Sequence, residues 1–300
     1  MVYIYTENLF VLNKIKNFIK ILLGRQNRGP KAVEDSLLRG FQELGSPYKI
    51  NSHELPIDTA CVISGSQTLR WAVEQKNKSL IKKIIAGPNL VVSPDDAGGI
   101  LKHPLVDVIV APSAWVREYY CQIDPSLKER VKIWPAGVSL PQPLPQEKSL
   151  DFLIYNKIAN LPLLKEVVGV LGKKNFSFKI LTYGKFKQND YFKILAKAKY
   201  EIYLSKSESQ GLAMFEAWAR NVATLVWETG EYKNHGTKIM GQISAPFLSP
   251  EAGMSFGGRD DFEKKLEVFI RTDFSPRAFV EENFTNKICS QKYLDILYGQ

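Results

Sequence analysis

Glu208-Ser209-Gln210-Gly211-Leu212-Ala213-Met214-Phe215-Glu216-Ala217 sets two carboxylates eight positions apart, with a glycine between them and an alanine directly after the second. The run Glu201-Ile202-Tyr203-Leu204 before it reads as a strand, and Gly211 to Arg220 reads as a helix. Glu208 is therefore expected in the turn at the mouth of a sheet, and Glu216 about a turn and a half into the helix. The first N–H groups of a helix have no partner within it and carry a partial positive charge, which suits a phosphate. A carboxylate beside that phosphate cannot ligate it but can accept hydrogen bonds from sugar hydroxyls. The stretch thus describes a pocket for a nucleotide joined to a sugar. The plainer alternative is a strand–helix unit that happens to carry two surface acids.

Working outward, the chain repeats one grammar twice. Before the motif, Asp151–Tyr155, Phe178–Leu181 and Tyr200–Leu204 read as strands, and Leu161–Leu171 and Tyr191–Ala198 as helices. After it come a strand, Ala223–Trp227, and closing helices at Asp260–Arg271, Pro276–Glu282 and Thr285–Leu297. The first half shows strands at Val2–Tyr5, Ala60–Ser64, Ile84–Ala86, Leu90–Val92, Val106–Ala111 and Val131–Trp134, with helices at Ala32–Leu44, Gln67–Gln75 and Ala114–Cys121. Short apolar runs alternating with helical patterns mark parallel sheets with crossover helices. Between the halves, residues 135–145 hold four prolines in eleven positions, a composition that continues neither a helix nor a central strand. The expected division is therefore a first lobe at 1–134, a proline-rich hinge at 135–150 and a second lobe at 151–300.

At Glu208, Gly211, Glu216 and Ala217 the chain resembles the GT-B glycosyltransferases, and among them the retaining group known as family 4. Its hallmark is two glutamates with seven residues between them, often E-x-F-G-x-x-x-x-E-A. Gln210 stands where an aromatic residue is usual. Ala136-Gly137-Val138 resembles the run that opens the family's hinge, with Ser139 in place of the usual Asp. The strand, serine cap and helix at Val108–Ser113 and Ala114–Val116 resemble the close of the family's first lobe.

The resemblance implies an α/β fold of two Rossmann-like lobes, with the last helix packing back on the first. It implies transfer of a sugar from a nucleotide-diphosphate sugar to a glycan, lipid-linked or small-molecule acceptor, with retained configuration, no metal and no cofactor. Glu216 would hold ribose hydroxyls and Glu208 would contact the donor sugar. Ser209, Gln210, Gly211 and Leu212 would line the turn at the diphosphate. Lys157, just after a strand, and Lys165 would face the diphosphate, where a lysine neutralises leaving-group charge. Gly184 and Lys185 fall where the family has a loop near the base.

In the first lobe, Gly29-Pro30-Lys31 is the candidate turn approaching the phosphates. The family's first-lobe histidine has no counterpart in the loop from Gly87 to Asp96. His103 lies just beyond and could reach in, while Asp95 and Asp96 could hold acceptor hydroxyls. His235 is a further candidate at the sugar pocket, and His53 sits in a polar loop. Two other readings stay open: a sugar-nucleotide epimerase or hydrolase on the same scaffold, and a non-catalytic binding protein of the same shape.

The composition fits these readings. The chain has 300 residues, 45% hydrophobic and 24% charged, with three widely spaced cysteines (Cys61, Cys121, Cys289) that suit reduced thiols in a cytoplasmic protein. No apolar run is long enough to span a bilayer. The net charge of +9 is concentrated near the start, where Lys14, Lys16, Lys20, Arg25, Arg28 and Lys31 occur with no acid among them. Val11, Leu12, Ile15, Phe18, Ile19, Leu22 and Leu23 recur at three- and four-residue steps, the pattern of a basic amphipathic helix. Residues 11–31 could thus lie on an anionic membrane surface, or pack their apolar face on their own domain. The cations are not interleaved with stacking aromatics, so nucleic acid is not expected as a partner.

Overall fold

Short runs of buried aliphatic residues set the strands. In the computed structural model, which describes residues 1–10, 28–142, 148–158 and 161–299, these runs build two parallel sheets in separate units. One unit is Met1–Gly137 together with Asn286–Gln300, and the other is Val138–Thr285. The basic helix expected at 11–31 lies outside the described residues up to Asn27. Most of the hinge tract beyond Gln142 does too.

The first unit's sheet contains β1 (Val2–Tyr5), β2 (Tyr48–Ile50), β3 (Ile57–Ser64), β4 (Ile81–Asn89), β5 (Val108–Ala111) and β6 (Val131–Ile133). Their order is β2-β1-β3-β4-β5-β6, with every pair parallel. The helices α1 (Arg28–Glu43), α2 (Ser66–Asn77) and α3 (Ala114–Ile123) make the crossovers, as parallel strands require.

Two expected strands, Ile84–Ala86 and Leu90–Val92, are corrected here. Gly87-Pro88 reads as a break, but β4 runs through it to Asn89, and Leu90–Val92 is loop. Gly87 has φ +121, and a Cβ there would sit 2.3 Å from the Val110 carbonyl oxygen. Glycine thus lets β4 continue against β5 where another residue would collide.

The last helix, α9 (Asn286–Tyr298), belongs to this first unit and not to a 151–300 lobe. It packs against α1 at a glycine. A Cβ at Gly40 would lie 2.0 Å from Ser290 Oγ and 2.2 Å from the Asn286 carbonyl oxygen, so only glycine allows that spacing. Ser290 donates to the Leu37 carbonyl at 3.1 Å, and the Trp134 indole N–H donates to the Cys289 carbonyl at 2.7 Å. Tyr293 packs edge-on against Trp134 at 5.0 Å. The family resemblance implied this return of the last helix to the first lobe, although the 151–300 division counted it with the second.

The second unit's sheet has the order β13-β10-β9-β7-β8, again all parallel. Its strands are β7 (Leu150–Asn156), β8 (Phe178–Thr182), β9 (Ala198–Leu204), β10 (Ala223–Trp227) and β13 (Gly253–Phe256). The helices are α4 (Leu161–Lys173), α5 (Gln188–Leu195), α6 (Leu212–Trp218), α7 (Arg259–Phe269) and α8 (Pro276–Asn283). Phe152, Ile154, Val167, Leu171, Ile202, Leu225, Phe262 and Leu266 form its core. An antiparallel hairpin, β11 (Glu231–Asn234) with β12 (Thr237–Met240), interrupts the run from β10 to β13.

Sequence patterning missed this hairpin, β13 and β2. The hairpin is mostly polar, and β2 and β13 are too short to show a period. The chain enters the second unit at Val138 and leaves it at Thr285, and these two residues pair as a parallel bridge. Two parallel α/β units with the final helix on the first are the architecture the sequence implied.

Candidate functional site

In the second unit the motif stands where the strand–helix reading put it. β9 ends at Leu204, a loop carries Glu208, and α6 begins after Gly211. Gly211 has φ +87, a left-handed conformation, and a Cβ there would lie 2.4 Å from Met214 Cε. The helix is shorter than the expected Gly211–Arg220. It ends at Trp218, because the chain turns at Asn221 (φ +56) to enter β10.

Glu208 is 9% exposed, and its side chain is held from two directions. Lys157 Nζ donates to Glu208 Oε1 at 2.6 Å, and the Tyr203 hydroxyl donates to the same oxygen at 3.0 Å. Tyr203 is stacked on Tyr155, with ring centres 4.9 Å apart and planes 5° from parallel. Burial, and then the nearby Glu208 charge, pushes the Tyr203 phenol well above its ordinary pKa, so it stays protonated and remains a donor.

Lys157 directly follows β7, and its amide is tied to the Leu204 carbonyl at 2.8 Å. Its ammonium lies 4.8 Å from the centre of the Tyr183 ring, which is half exposed at the end of β8. An ammonium over an aromatic face is attracted by the ring's quadrupole. Lys157, Glu208, Tyr203 and Tyr183 thus gather at the carboxyl edge of three neighbouring strands.

Glu216 is half-buried on α6, and Gln188, in the first turn of α5, donates its side-chain amide to Glu216 Oε1. Arg220 donates to the Glu216 carbonyl at 2.9 Å while its guanidinium lies 3.9 Å over the Phe192 ring. Beneath α6, Tyr191 lies within hydrogen-bond reach of both Glu201 Oε1 (2.9 Å) and the Ala213 carbonyl (2.8 Å). Glu201 is fully buried, and burial pushes its carboxyl well above the ordinary range. A proton on Glu201 lets the acid donate to the Tyr191 oxygen while Tyr191 donates to Ala213, so one hydroxyl proton serves one acceptor.

The remaining candidates separate. Gln210 is buried, Ser209 is exposed and Leu212 is half-buried, all around the turn at Gly211. Lys165 is exposed on α4, and its side chain makes no hydrogen bond or ion pair with a described residue, so the structure does not join it to the Lys157–Glu208 pair. Gly184 has φ +81 in the turn after β8, with Lys185 exposed beside it. His235 is exposed in the β11–β12 turn.

In the first unit, Gly29-Pro30-Lys31 is not a turn ahead of a helix. It forms the first turn of α1 itself, where proline's missing N–H costs nothing. Among the described residues a Cβ at Gly29 would meet nothing within 4 Å, so none of them requires glycine there. His103 is engaged locally, its Nδ1 accepting from the Leu105 amide at 3.2 Å. Asp96 accepts from the Val92 and Ser93 amides at 3.1 and 2.7 Å, and Asp95 pairs with Lys102. His53 lies in the loop before β3.

Reasoning from sequence did not find Gln188, Tyr203, Tyr183 or Tyr191. Tyr203 lies on the strand read as leading into the motif, but within a continuous buried run that gave no sign of its bond to Glu208.

No family model matches the sequence, and no curated protein matches it. Solved structures do. The apo form of the lipopolysaccharide outer core galactosyltransferase WaaB matches with a TM-score of 0.57 at 13% identity, over 89% of this chain and 80% of its own. TarM matches with a TM-score of 0.54 at 14% identity, over 79% of this chain and 54% of its own. Sucrose-phosphate synthase from Thermosynechococcus elongatus gives 0.50 at 11%, over 80% and 74%.

The chain has the GT-B fold.

At these identities the likeness is one of fold. Within this GT-B chain, the chemistry of the candidate site rests on its own residues. Among the described residues no helix is long and apolar enough to cross a membrane.

Proposed function

We propose that this GT-B chain is a glycosyltransferase whose second unit holds a nucleotide-diphosphate sugar at the carboxyl edge of its sheet. The observation that carries the reading is the Lys157–Glu208 pair, a cation and an acid brought together at that edge from distant parts of the chain. The carboxyl end of a parallel α/β sheet is where such folds bind ligands. A diphosphate arriving at Lys157 would replace the Glu208 carboxylate as its partner. Glu208, still steadied by Tyr203, would then accept hydrogen bonds from the sugar hydroxyls.

Glu216 sits on the adjoining helix as the acceptor for ribose hydroxyls, with Gln188 orienting its carboxylate. When the bond between the sugar's anomeric carbon and the diphosphate oxygen breaks, negative charge grows on the diphosphate. Lys157 is placed to stabilise that charge. An acceptor hydroxyl supplies the new oxygen, and its proton passes to the departing diphosphate oxygen. By the family resemblance the configuration at that carbon is retained and no metal takes part. Among the structural neighbours, a TarM variant was solved in complex with UDP and alpha-GlcNAc-glycerol, which supports a nucleotide donor and a glycosylated product for this fold. The acceptor class is a glycan or lipid-linked sugar, and attachment to an anionic membrane through residues 11–31 is part of the same proposal.

Calorimetric titration with a panel of nucleotide-diphosphate sugars tests the reading. At least one should bind wild-type protein and raise its melting temperature. Incubation of that donor with and without added glycan acceptors then separates transfer from hydrolysis or epimerisation. Failure of every donor to bind would sink the proposal.

A further inference from the structure

We propose that Glu228 is a positioning residue for Glu208, holding the acid's backbone in place from the end of the neighbouring strand. Glu228 directly follows β10, and its own amide is anchored on the Phe256 carbonyl of β13 at 2.9 Å. Its carboxylate accepts from three backbone N–H groups. Gly230 donates to Oε1 at 3.0 Å, Ile243 to Oε1 at 3.1 Å, and Ser244 to Oε1 and Oε2 at 3.1 and 3.0 Å. These donors lie at the two ends of the β11–β12 excursion, so one side chain closes the base of that hairpin.

Ile243 and Ser244 are fully buried, and they grip the motif loop. The Glu208 amide donates to the Ile243 carbonyl at 3.0 Å. The Ser244 and Thr229 hydroxyls donate to the Lys206 carbonyl at 3.2 and 3.0 Å. The position of Glu208 is thus fixed twice over. Lys157 and Tyr203 hold its carboxylate, while the 243–244 segment holds its backbone through a carboxylate twenty residues later in the chain. Hydrogen bonds to an ionised acceptor are about twice as strong as neutral ones, so a single acid suffices to lock the segment. The inference rests on the reading of Glu208 as the donor-sugar contact.

Two measurements on Glu228→Ala and Glu228→Gln test it. The first is hydrogen exchange at the Glu208 amide. In Glu228→Ala it should exchange about tenfold faster, while the Ile202, Tyr203 and Leu204 amides of β9 keep their rates. That second condition separates positioning from general unfolding. The second measurement is titration with the donor found in the panel and with its nucleoside diphosphate. Preference for the sugar nucleotide over the diphosphate should fall about tenfold, with diphosphate affinity little changed. Combining Glu208→Ala with Glu228→Ala should cost nothing beyond Glu208→Ala alone. Glu228→Gln keeps the side-chain volume and one acceptor oxygen, and should show a smaller loss of the same kind.

An unchanged Glu208 amide in Glu228→Ala overturns the proposal, as does equal weakening of both ligands. If no sugar nucleotide binds wild-type protein, the donor reading fails, while the exchange result still decides whether Glu228 positions Glu208.

Discussion

At the carboxyl end of the second unit's sheet, Glu208 pairs with Lys157 and Glu216 with Gln188, partners 51 and 28 positions away. At the same end of the first unit's sheet, in the loop after β4, the acids and the histidine bond close at hand. Asp96 holds the Val92 and Ser93 amides, Asp95 holds Lys102, and His103 holds the Leu105 amide. The residue types are alike and the wiring differs. Local side-chain bonds to backbone shape a turn, and are spent on it. Long-range pairs between side chains appose groups that the loops themselves do not need, and such groups can exchange their partner for a ligand.

The sharpest way to break this contrast is to remove Lys157. Lys157→Ala should weaken binding of the sugar nucleotide by about 10- to 100-fold, the worth of a hydrogen bond to a charged group at ~1.5–3 kcal/mol. Calorimetric titration reads it directly.

The first unit's dependence on packing is tested by Gly40→Ala. The added methyl meets Ser290 and the Asn286 carbonyl, so α9 must shift away from α1. Destabilisation of about 1–3 kcal/mol in urea unfolding is expected, with donor affinity unchanged.

Glu201→Gln probes the layer beneath α6. Burial raises the Glu201 pKa, so the folded chain keeps a proton that the unfolded chain loses above the ordinary value of 4.5. The stability linked to this group is complete below that value and falls as pH rises beyond it. Glutamine cannot ionise. Glu201→Gln should therefore melt higher than wild type from about pH 5 upward, with the gap widening toward neutrality. A gap that is flat with pH would show Glu201 ionised in the folded chain.

The smallest effect is expected for His103→Ala. Losing one half-buried bond to an amide costs about 0.5–1.5 kcal/mol of stability, and donor affinity should be indifferent. A loss of affinity comparable to that of Lys157→Ala would erase the distinction between the two sheet edges.

Much of this was legible in the sequence because the repeating strand–helix grammar and the Glu208–Glu216 spacing are local patterns. Lys157 could be named because the family resemblance implies a basic residue just after the second lobe's first strand, and that strand was legible. Gly29 was misread because Gly-Pro suggests a turn, while proline in a helix's first turn is equally comfortable. Gln188 and Glu228 gave no sign. Their roles arise only where the fold brings α5 beside α6 and the 243–244 segment beside the motif loop. That the last helix returns to the first unit came from the family resemblance, while its contact at Gly40 on α1, far from it in the chain, left no sign in the sequence.

A crystal structure with the bound sugar nucleotide tests the central claim most directly. The account predicts the diphosphate within hydrogen-bond distance of Lys157 Nζ, the Lys157–Glu208 bond replaced, and Glu208 facing the sugar hydroxyls. A nucleotide bound elsewhere, with that bond intact, would contradict it.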